Sequence, residues 1–178
     1  MTPDDVIDFW RAAGEERWFT KNPAFDGQLS VRFKDALAQA RDGAFDFWTE
    51  TPGGMLALIL MLDQFSRNIH RGSPLAFAAD KKALALARQA VSRGDHLSFP
   101  APLAMWFIMP FEHAEDLDAQ RRCVALFAAR DPSDMVHWAK LHLDIIERFG
   151  RFPHRNAVLG RKSTPEELAF LAAGGFKG

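Results

Sequence analysis

A helix-start signal recurs along the chain and constrains its architecture more than any other feature. A residue with a capping side chain stands directly before proline at Thr2-Pro3, Thr51-Pro52, Ser73-Pro74, Asp131-Pro132 and Thr164-Pro165. Such a side chain can accept a hydrogen bond from a helix N–H, and proline at the first helical position sacrifices no hydrogen bond. Glycines suited to end helices stand at Gly14, Gly43, Gly72, Gly94, Gly150 and Gly174. These signals predict a succession of helices with defined starts and ends.

Apolar residues repeat with the helical period between these signals. Two faces have i, i+3, i+4, i+7 spacing: Val6, Phe9, Trp10 and Ala13, and then Phe33, Ala36, Leu37 and Ala40. Residues 55–62 are apolar on every side, which predicts a central helix covered all round. No run alternates as a half-buried strand does. We therefore predict an all-α fold of roughly seven to nine helices at ordinary helix lengths.

Size and charge narrow the class of protein. The chain has 178 residues, 48% hydrophobic, which fits one domain spanning residues 1–178. The net charge of −1 is not the basic excess expected of a nucleic-acid-binding protein, so no nucleic-acid partner is predicted. A single cysteine, Cys123, excludes an internal disulfide and fits a reducing compartment.

Neither targeting nor cofactor motifs stand out. The first ten residues carry three aspartates and no basic segment, unlike a secretory signal. The longest uncharged run, residues 97–111, is too short to span a bilayer and contains three prolines. No phosphate-binding loop, dinucleotide fingerprint or nucleophile elbow is present. We expect a soluble, cytoplasmic protein with no membrane partner and no cofactor.

A first polar group, DQFSRNIHR at residues 63–71, ends the covered helix. Three pairs lie four residues apart, and each pair shares a helix face: Asp63 and Arg67, Gln64 and Asn68, and Arg67 and Arg71. We predict that these side chains border a polar pocket where the apolar core ends. The alternative is a helix C-terminus whose cations favour the negative end of the helix dipole.

A second group is acidic. FEHAEDLD at residues 111–118 includes Glu112, His113, Glu115 and Asp116 and contains no lysine or arginine. The spacing falls short of the two-histidine, two-carboxylate sets that hold metals, so no metal site is predicted. Acids at a helix start more often serve as dipole partners or salt-bridge acceptors.

A third group is basic. Residues 148–161 include Arg148, Arg151, His154, Arg155, Asn156 and Arg161. This segment and the acidic segment are the two most charge-biased parts of the chain, and we predict that they meet and enclose a charged recess. Pro153 is predicted to start a helix of about a turn and a half that ends at Gly160. The N-terminus of this helix would favour an anion.

One further histidine lies on an apolar stripe. His142 falls between Trp138 and Ile145 at helical spacing, where a hydrogen-bonded core histidine is commoner than a catalyst. His137 lies five residues before His142, and a helical zinc pair would need a spacing of four.

Four segments together resemble a known family. LDQFSRNIHRG, SPLAFAADKKALALA, FIMPFEHAEDLDAQ and IIERFGRFPHRNAVLGRKSTPEELAFL are similar to sequences of the bacterial domain-of-unknown-function 924 family. The resemblance spans the chain and implies a fold similar to tetratricopeptide-repeat proteins, with helices stacked as antiparallel pairs. It implies no reaction and no catalytic residues. Family members typically have serine at the position of Ala114.

Three functions remain open from the sequence. The first is a binding module for a small anionic metabolite or an acidic peptide end, held by the polar groups described above. The second is an enzyme that uses His113 or His154 as general acid or base beside a carboxylate. The third is a protein–protein adaptor whose charged cluster is a structural ion-pair network. The oligomeric state is not specified.

Overall fold

The predicted all-α fold class is confirmed. A computed structural model describes residues 1–130 and 134–176, and these ranges contain helices and turns but no β-strand. The seven helices of eight residues or more within these ranges are α1 (Pro3–Ala13), α2 (Pro23–Arg41), α3 (Pro52–Leu60), α4 (Asp80–Arg93), α5 (Leu117–Arg130), α6 (Asp134–Phe149) and α7 (Pro165–Ala172).

Shorter helical pieces connect them. Four-residue α-helices span Glu15–Trp18, Ser66–Ile69, Ala101–Ala104 and Met109–Glu112. 3-10 helices span Asp46–Glu50, Pro74–Phe77, Asp95–Ser98, Met105–Phe107 and Pro153–Arg155. A π-helical segment spans Met61–Phe65.

Side-chain caps set the helix starts as the recurring signal predicts. Thr2 and Thr164 each form a capping box with the acid three residues later, and Thr51 accepts a hydrogen bond from Gly54 N. Asn22-Pro23 uses the same device at the start of α2, although we did not single it out in the sequence. All six predicted helix-ending glycines have positive φ. The Asp131-Pro132 signal lies outside the described residues.

The chain contacts form two compact units. Unit 1 comprises Met1–Arg71 and Leu75–Pro110, and unit 2 comprises Gly72–Pro74 and Phe111–Gly178. The single domain over residues 1–178 stays a prediction.

Aromatic side chains fill much of the core of unit 1. Trp10 is fully buried and lies edge-on to Trp106, with ring centroids 5.1 Å apart. Trp18 stacks on Trp10 and donates its indole N–H to Trp10 O over 2.7 Å. The partly buried Trp18 ring thus packs on Trp10 with its own N–H donor satisfied. Phe19 and Phe47 are exceptions, each more than half exposed.

The covered helix predicted for residues 55–62 is present, with all eight residues buried. Its regular part ends at Leu60, and Met61–Phe65 continues as a π-helix. A π-helical turn admits one more residue than an α-helical turn and changes the direction of the side chains that follow. Asp63 and Gln64 lie in this turn and are buried, so the polar residues begin inside the core of unit 1.

Unit 2 is built on the pair α5 and α6, which pack along each other. Ile145, Ile146 and Phe152 form its buried apolar cluster, against which Phe149 and Phe170 pack. The ring centroids of Phe149 on α6 and Phe170 on α7 lie 5.1 Å apart, so α7 packs against α6 through an aromatic contact.

Candidate functional site

The acidic and basic segments meet in unit 2 through Glu115 and Arg161. Arg161 Nη1 lies 2.5 Å from Glu115 Oε2, and Arg161 Nη2 lies 2.8 Å from Glu115 Oε1. Glu115 Oε1 also accepts a hydrogen bond from Phe152 N over 2.8 Å. The planar guanidinium therefore faces the carboxylate in the bidentate geometry that makes such pairs strong.

A second bidentate pair joins Arg151 to Glu167 on α7. Arg151 Nε donates to Glu167 Oε1 over 2.6 Å, and Arg151 Nη2 donates to Glu167 Oε2 over 2.9 Å. Asn156 connects the two pairs, because its Nδ2 donates to Glu167 Oε2 and its Oδ1 accepts from Arg161 Nε. We refer to Glu115, Arg151, Asn156, Arg161 and Glu167 as the charge network.

Both carboxylates of the charge network are held ionised. The hydrogen bond from Arg151, aided by Thr164 N and Asn156, lowers the pKa of Glu167 to about 2 despite its burial. Burial alone would raise the pKa of Glu115, but the hydrogen bonds from Arg161 and Phe152 N outweigh it, and the pKa lies below its ordinary value. The arginine charges are thus neutralised within the chain.

The helix predicted from Pro153 is shorter than expected. A 3-10 helix spans only Pro153–Arg155, and turns follow up to Gly160. Asn156 O accepts a hydrogen bond from Arg161 N over 2.8 Å, which is a single turn with π-helical spacing. The predicted helix of about a turn and a half is therefore wrong, whereas anion binding by His154, Arg155 and Asn156 stays a prediction.

Glu112 takes a different place from Glu115. It is 4% exposed, and its Oε1 lies 3.6 Å from His142 Nδ1 while its Oε2 lies 4.0 Å from Cys123 Sγ. His142 Nδ1 also lies 2.9 Å from Trp138 O. Since both neighbours of Nδ1 are acceptors, this nitrogen carries the proton and the tautomer is fixed.

Burial governs the ionisation of this inner group. It lowers the pKa of His142, with Arg155 adding to the effect and the carbonyl of Trp138 opposing it. Burial also raises the pKa of the Cys123 thiol, and the charge of Glu112 raises it further. His142 is therefore the neutral core histidine that its place on an apolar stripe predicts, and Cys123 lacks the thiolate that a nucleophile needs.

The remaining predicted residues of unit 2 occupy separate positions. Arg148 pairs with Glu166 over 2.9 Å, with both side chains more than half exposed. Arg155 is buried, donates to His113 O over 3.0 Å and lies over the Phe152 ring. Asp116 accepts a hydrogen bond from Ala119 N at the start of α5. The ring centroids of His154 and Phe176 lie 5.3 Å apart.

The predicted polar group of unit 1 is also paired within its own unit. Arg67 Nη2 lies between Asp63 Oδ1 at 3.2 Å and Asp80 Oδ1 at 3.1 Å, and Gln64 donates to Asp63 Oδ2 over 2.5 Å. Burial opposes the charge of Arg67, but the two aspartates outweigh it and raise the pKa. The remaining members, Asn68 and Arg71, both donate to Asp26. A common pocket shared with the groups at residues 112–116 and 148–161 stays a prediction.

Unit 2 also contains a groove that we did not predict from the sequence. It has a volume of about 450 Å³ and lies between α6 and the segment that follows α7. Its lining consists of His137, Lys140, Leu141, Asp144, Ile145, Phe170, Gly174, Gly175 and Phe176. We call it the α6 groove. The five α6 residues have i, i+3, i+4, i+7, i+8 spacing, so one helix face forms the floor, and this spacing was visible in the sequence.

Gly175 allows the far wall of the α6 groove to close. A Cβ at this position would lie 2.6 Å from the ring and the carbonyl oxygen of Phe170. The tail therefore turns tightly across Phe170, and the Phe176 ring reaches 4.6 Å from the His142 ring. No group of three or more His, Cys, Asp or Glu residues in the described ranges could hold a metal ion.

These features define an all-α protein in which bidentate arginine–carboxylate pairs hold the charge network and in which unit 2 carries an apolar groove. The chain belongs to the family described as bacterial protein of unknown function (DUF924), which matches residues 6–175. The fold is similar to that of a protein of unknown function from Agrobacterium tumefaciens, with 43% identity, a TM-score of 0.93 and 97% of each chain covered. No curated protein matches the chain. None of the described helices is long and apolar enough to cross a membrane.

Proposed function

We propose that this protein is a peptide-binding module that holds an apolar C-terminal residue of a partner protein in the α6 groove. The observation that carries the proposal is the groove itself. Leu141, Ile145, Phe170 and Phe176 make it apolar, and its volume lies within the range of sites that bind small ligands.

The charges at the rim favour a ligand that ends in a carboxylate. Lys140 and His137 are exposed on the α6 face of the groove, with Asp144 one turn further on. Lys140 forms no ion pair with the other described residues, so its ammonium group is available to an incoming anion. An apolar side chain next to a free carboxylate, as at a peptide C-terminus, matches an apolar floor with a cation at its edge.

The charge network fits a structural role in this proposal. Its two arginines already face carboxylates in bidentate geometry, so a ligand anion would have to displace Glu115 or Glu167. Glu167 lies on α7, and its pairing with Arg151 holds α7 in place. Because Phe170 on the same helix lines the groove, the network supports the wall that contacts the ligand. Direct ligand binding by the residues predicted from the sequence stays a prediction.

A peptide-binding assay tests the proposal. Fluorescently labelled peptides ending in leucine or phenylalanine, with either a free or an amidated C-terminus, are titrated with the protein while anisotropy is measured. We expect saturable binding that amidation weakens by roughly fivefold or more, since a charge-assisted contact is lost. Lys140→Gln should produce the same loss. Lys162→Gln is the matched control, because Lys162 is exposed and lies outside the groove.

Backbone amide NMR locates the binding site. Peptide-induced shifts should concentrate on the α6 face and on residues 174–176. Equal affinity of free and amidated peptides, or shifts confined to the charge network, would refute the proposal. Stabilisation by a small anionic metabolite that Arg151→Gln abolishes in a folded protein would favour anion binding by the predicted basic residues. Turnover lost on changing His113 or His154 would favour the enzyme alternative.

A further inference from the structure

A cluster of cations in unit 1 lacks the acid partners that the neighbouring arginines have. Arg67 pairs with Asp63 and Asp80, and Arg71 pairs with Asp26. Arg41 at the end of α2 instead donates through Nη2 to two neutral oxygens, Ser66 Oγ and Leu75 O, each at 2.7 Å. Its guanidinium is thus held in one orientation without a carboxylate.

Arg41 also has a donor left over. Its Nε is buried and has no hydrogen-bond acceptor among the described residues. A buried N–H without a partner costs free energy, and a bound water or ion is one explanation for such a group. Burial lowers the pKa of Arg41, and Asp42, the next residue, only partly offsets the effect.

Two further basic residues, Lys34 and His70, belong to the same part of unit 1. Lys34 is seven residues before Arg41 on α2, so the two side chains share a helix face, and Lys34 is exposed. His70 follows the short helix Ser66–Ile69, which packs on α2. Burial lowers the pKa of His70, and the charges of Arg41 and Lys34 lower it further.

We propose that Arg41, Lys34 and His70 form a binding site for a phosphate group. An arginine fork and a lysine ammonium group are the donors that proteins use for phosphate, and an anion there would offset the mutual repulsion of the cluster. The phosphate is either free inorganic phosphate or the phosphate of a small phosphomonoester. This site is independent of the α6 groove.

The ionisation of His70 reports on the site directly. The histidine pKa values are measured by NMR in chloride, in inorganic phosphate, in glycerol 3-phosphate and in acetate, all at equal ionic strength. We expect phosphate to raise the pKa of His70 by about half a unit or more in a saturable way, because a nearby anion stabilises the imidazolium. His142 is buried in unit 2, lies outside the lining of the α6 groove and is the internal control, with equal values in phosphate and chloride.

Variants separate binding from a general salt effect. Lys34→Gln should raise the pKa of His70 in chloride, since one repelling charge is gone, and should reduce the rise that phosphate causes. Lys81→Gln, an exposed lysine on α4, is the matched control and should leave both values unchanged. Because Lys34 is exposed, its replacement should not unfold the protein.

Each outcome bears on the proposal. Tighter binding of glycerol 3-phosphate would support it and identify a phosphomonoester as the source, whereas tighter binding of inorganic phosphate would support it and identify the free ion. Equal pKa values of His70 in phosphate and chloride would overturn the proposal. A comparable rise in acetate, or an equal rise at His142, would also overturn it, since neither is specific to a phosphate site.

Discussion

Arg161 and Glu115 lie 46 residues apart in the chain and face each other in a bidentate pair. Each side chain is 24% exposed, so water screens the pair only in part. The contact joins the segment before α5 to the segment before α7. It is therefore a long-range contact within unit 2 that should contribute to the stability of the fold.

Replacement of Arg161 by alanine should destabilise the protein. Glu115 would lose its charged partner while remaining half-buried, and Asn156 and Phe152 O would lose a donor. We expect a loss of about 2 kcal/mol in the free energy of unfolding, measured by urea denaturation.

Arg148→Ala is the control for this experiment. Arg148 and Glu166 are 52% and 62% exposed, and exposed pairs contribute about 0–1 kcal/mol. Equal losses in the two variants would mean that the bidentate pair contributes no more than an ordinary surface pair.

Acid should weaken the protein through Glu167. Because its pKa is lowered to about 2, protons bind more tightly in the unfolded state, and the stability from this group is complete above the ordinary glutamate pKa of 4.5. It is lost as the pH falls from there through about 2. Chemical denaturation across this window should show the decline, and Glu167→Gln should flatten it. An unchanged slope in the variant would assign the decline to other carboxylates.

Cys123 should resist modification in the folded protein. Burial raises the pKa of its thiol, and the thiolate is the form that reacts. We expect no reaction with Ellman's reagent under native conditions at pH of about 8, and one equivalent of reaction after unfolding in guanidinium. Rapid stoichiometric reaction of the native protein would contradict the burial of this side chain.

Two glycines in helices should respond oppositely to alanine. A Cβ on Gly54 in α3 would lie 2.1 Å from Trp48 O, a backbone atom that cannot rotate away, so we expect a loss of about 3 kcal/mol. Gly27 in α2 has no neighbour within 4 Å of the added Cβ, and alanine there should stabilise by about 0.5–1 kcal/mol. Thermal unfolding followed by circular dichroism measures both, and a tolerated Gly54→Ala would contradict the close approach to Trp48.

Local signals in the sequence predicted the helices well. Caps such as Thr2 and Thr164 act within one turn, so a few adjacent residues determine where a helix begins. The change from α-helix to π-helix at Met61–Phe65 was not predictable from such local signals. An apolar run has the same pattern in an α-helix and a π-helix, and tertiary packing decides between them.

The site was predicted in outline. Opposite charge bias indicated that the acidic and basic segments meet, but it did not distinguish Glu115, which pairs with Arg161, from Glu112, which lies beside His142. Glu167 caps α7 and also pairs with Arg151, a second role that the sequence did not indicate. Such choices depend on distances between segments that sequence spacing does not contain. The α6 groove was missed because its far wall comes from residues after α7.

The separation of Glu115 and Arg161 has a consequence for protein synthesis. At translation rates of roughly 5–20 residues per second, the ribosome adds residues 116–161 in roughly 2 to 9 s. Until they are made, Glu115 has neither the Arg161 guanidinium nor the Phe152 N–H that binds it in the folded protein. The bidentate pair that holds this carboxylate can therefore form only after residue 161 has been added.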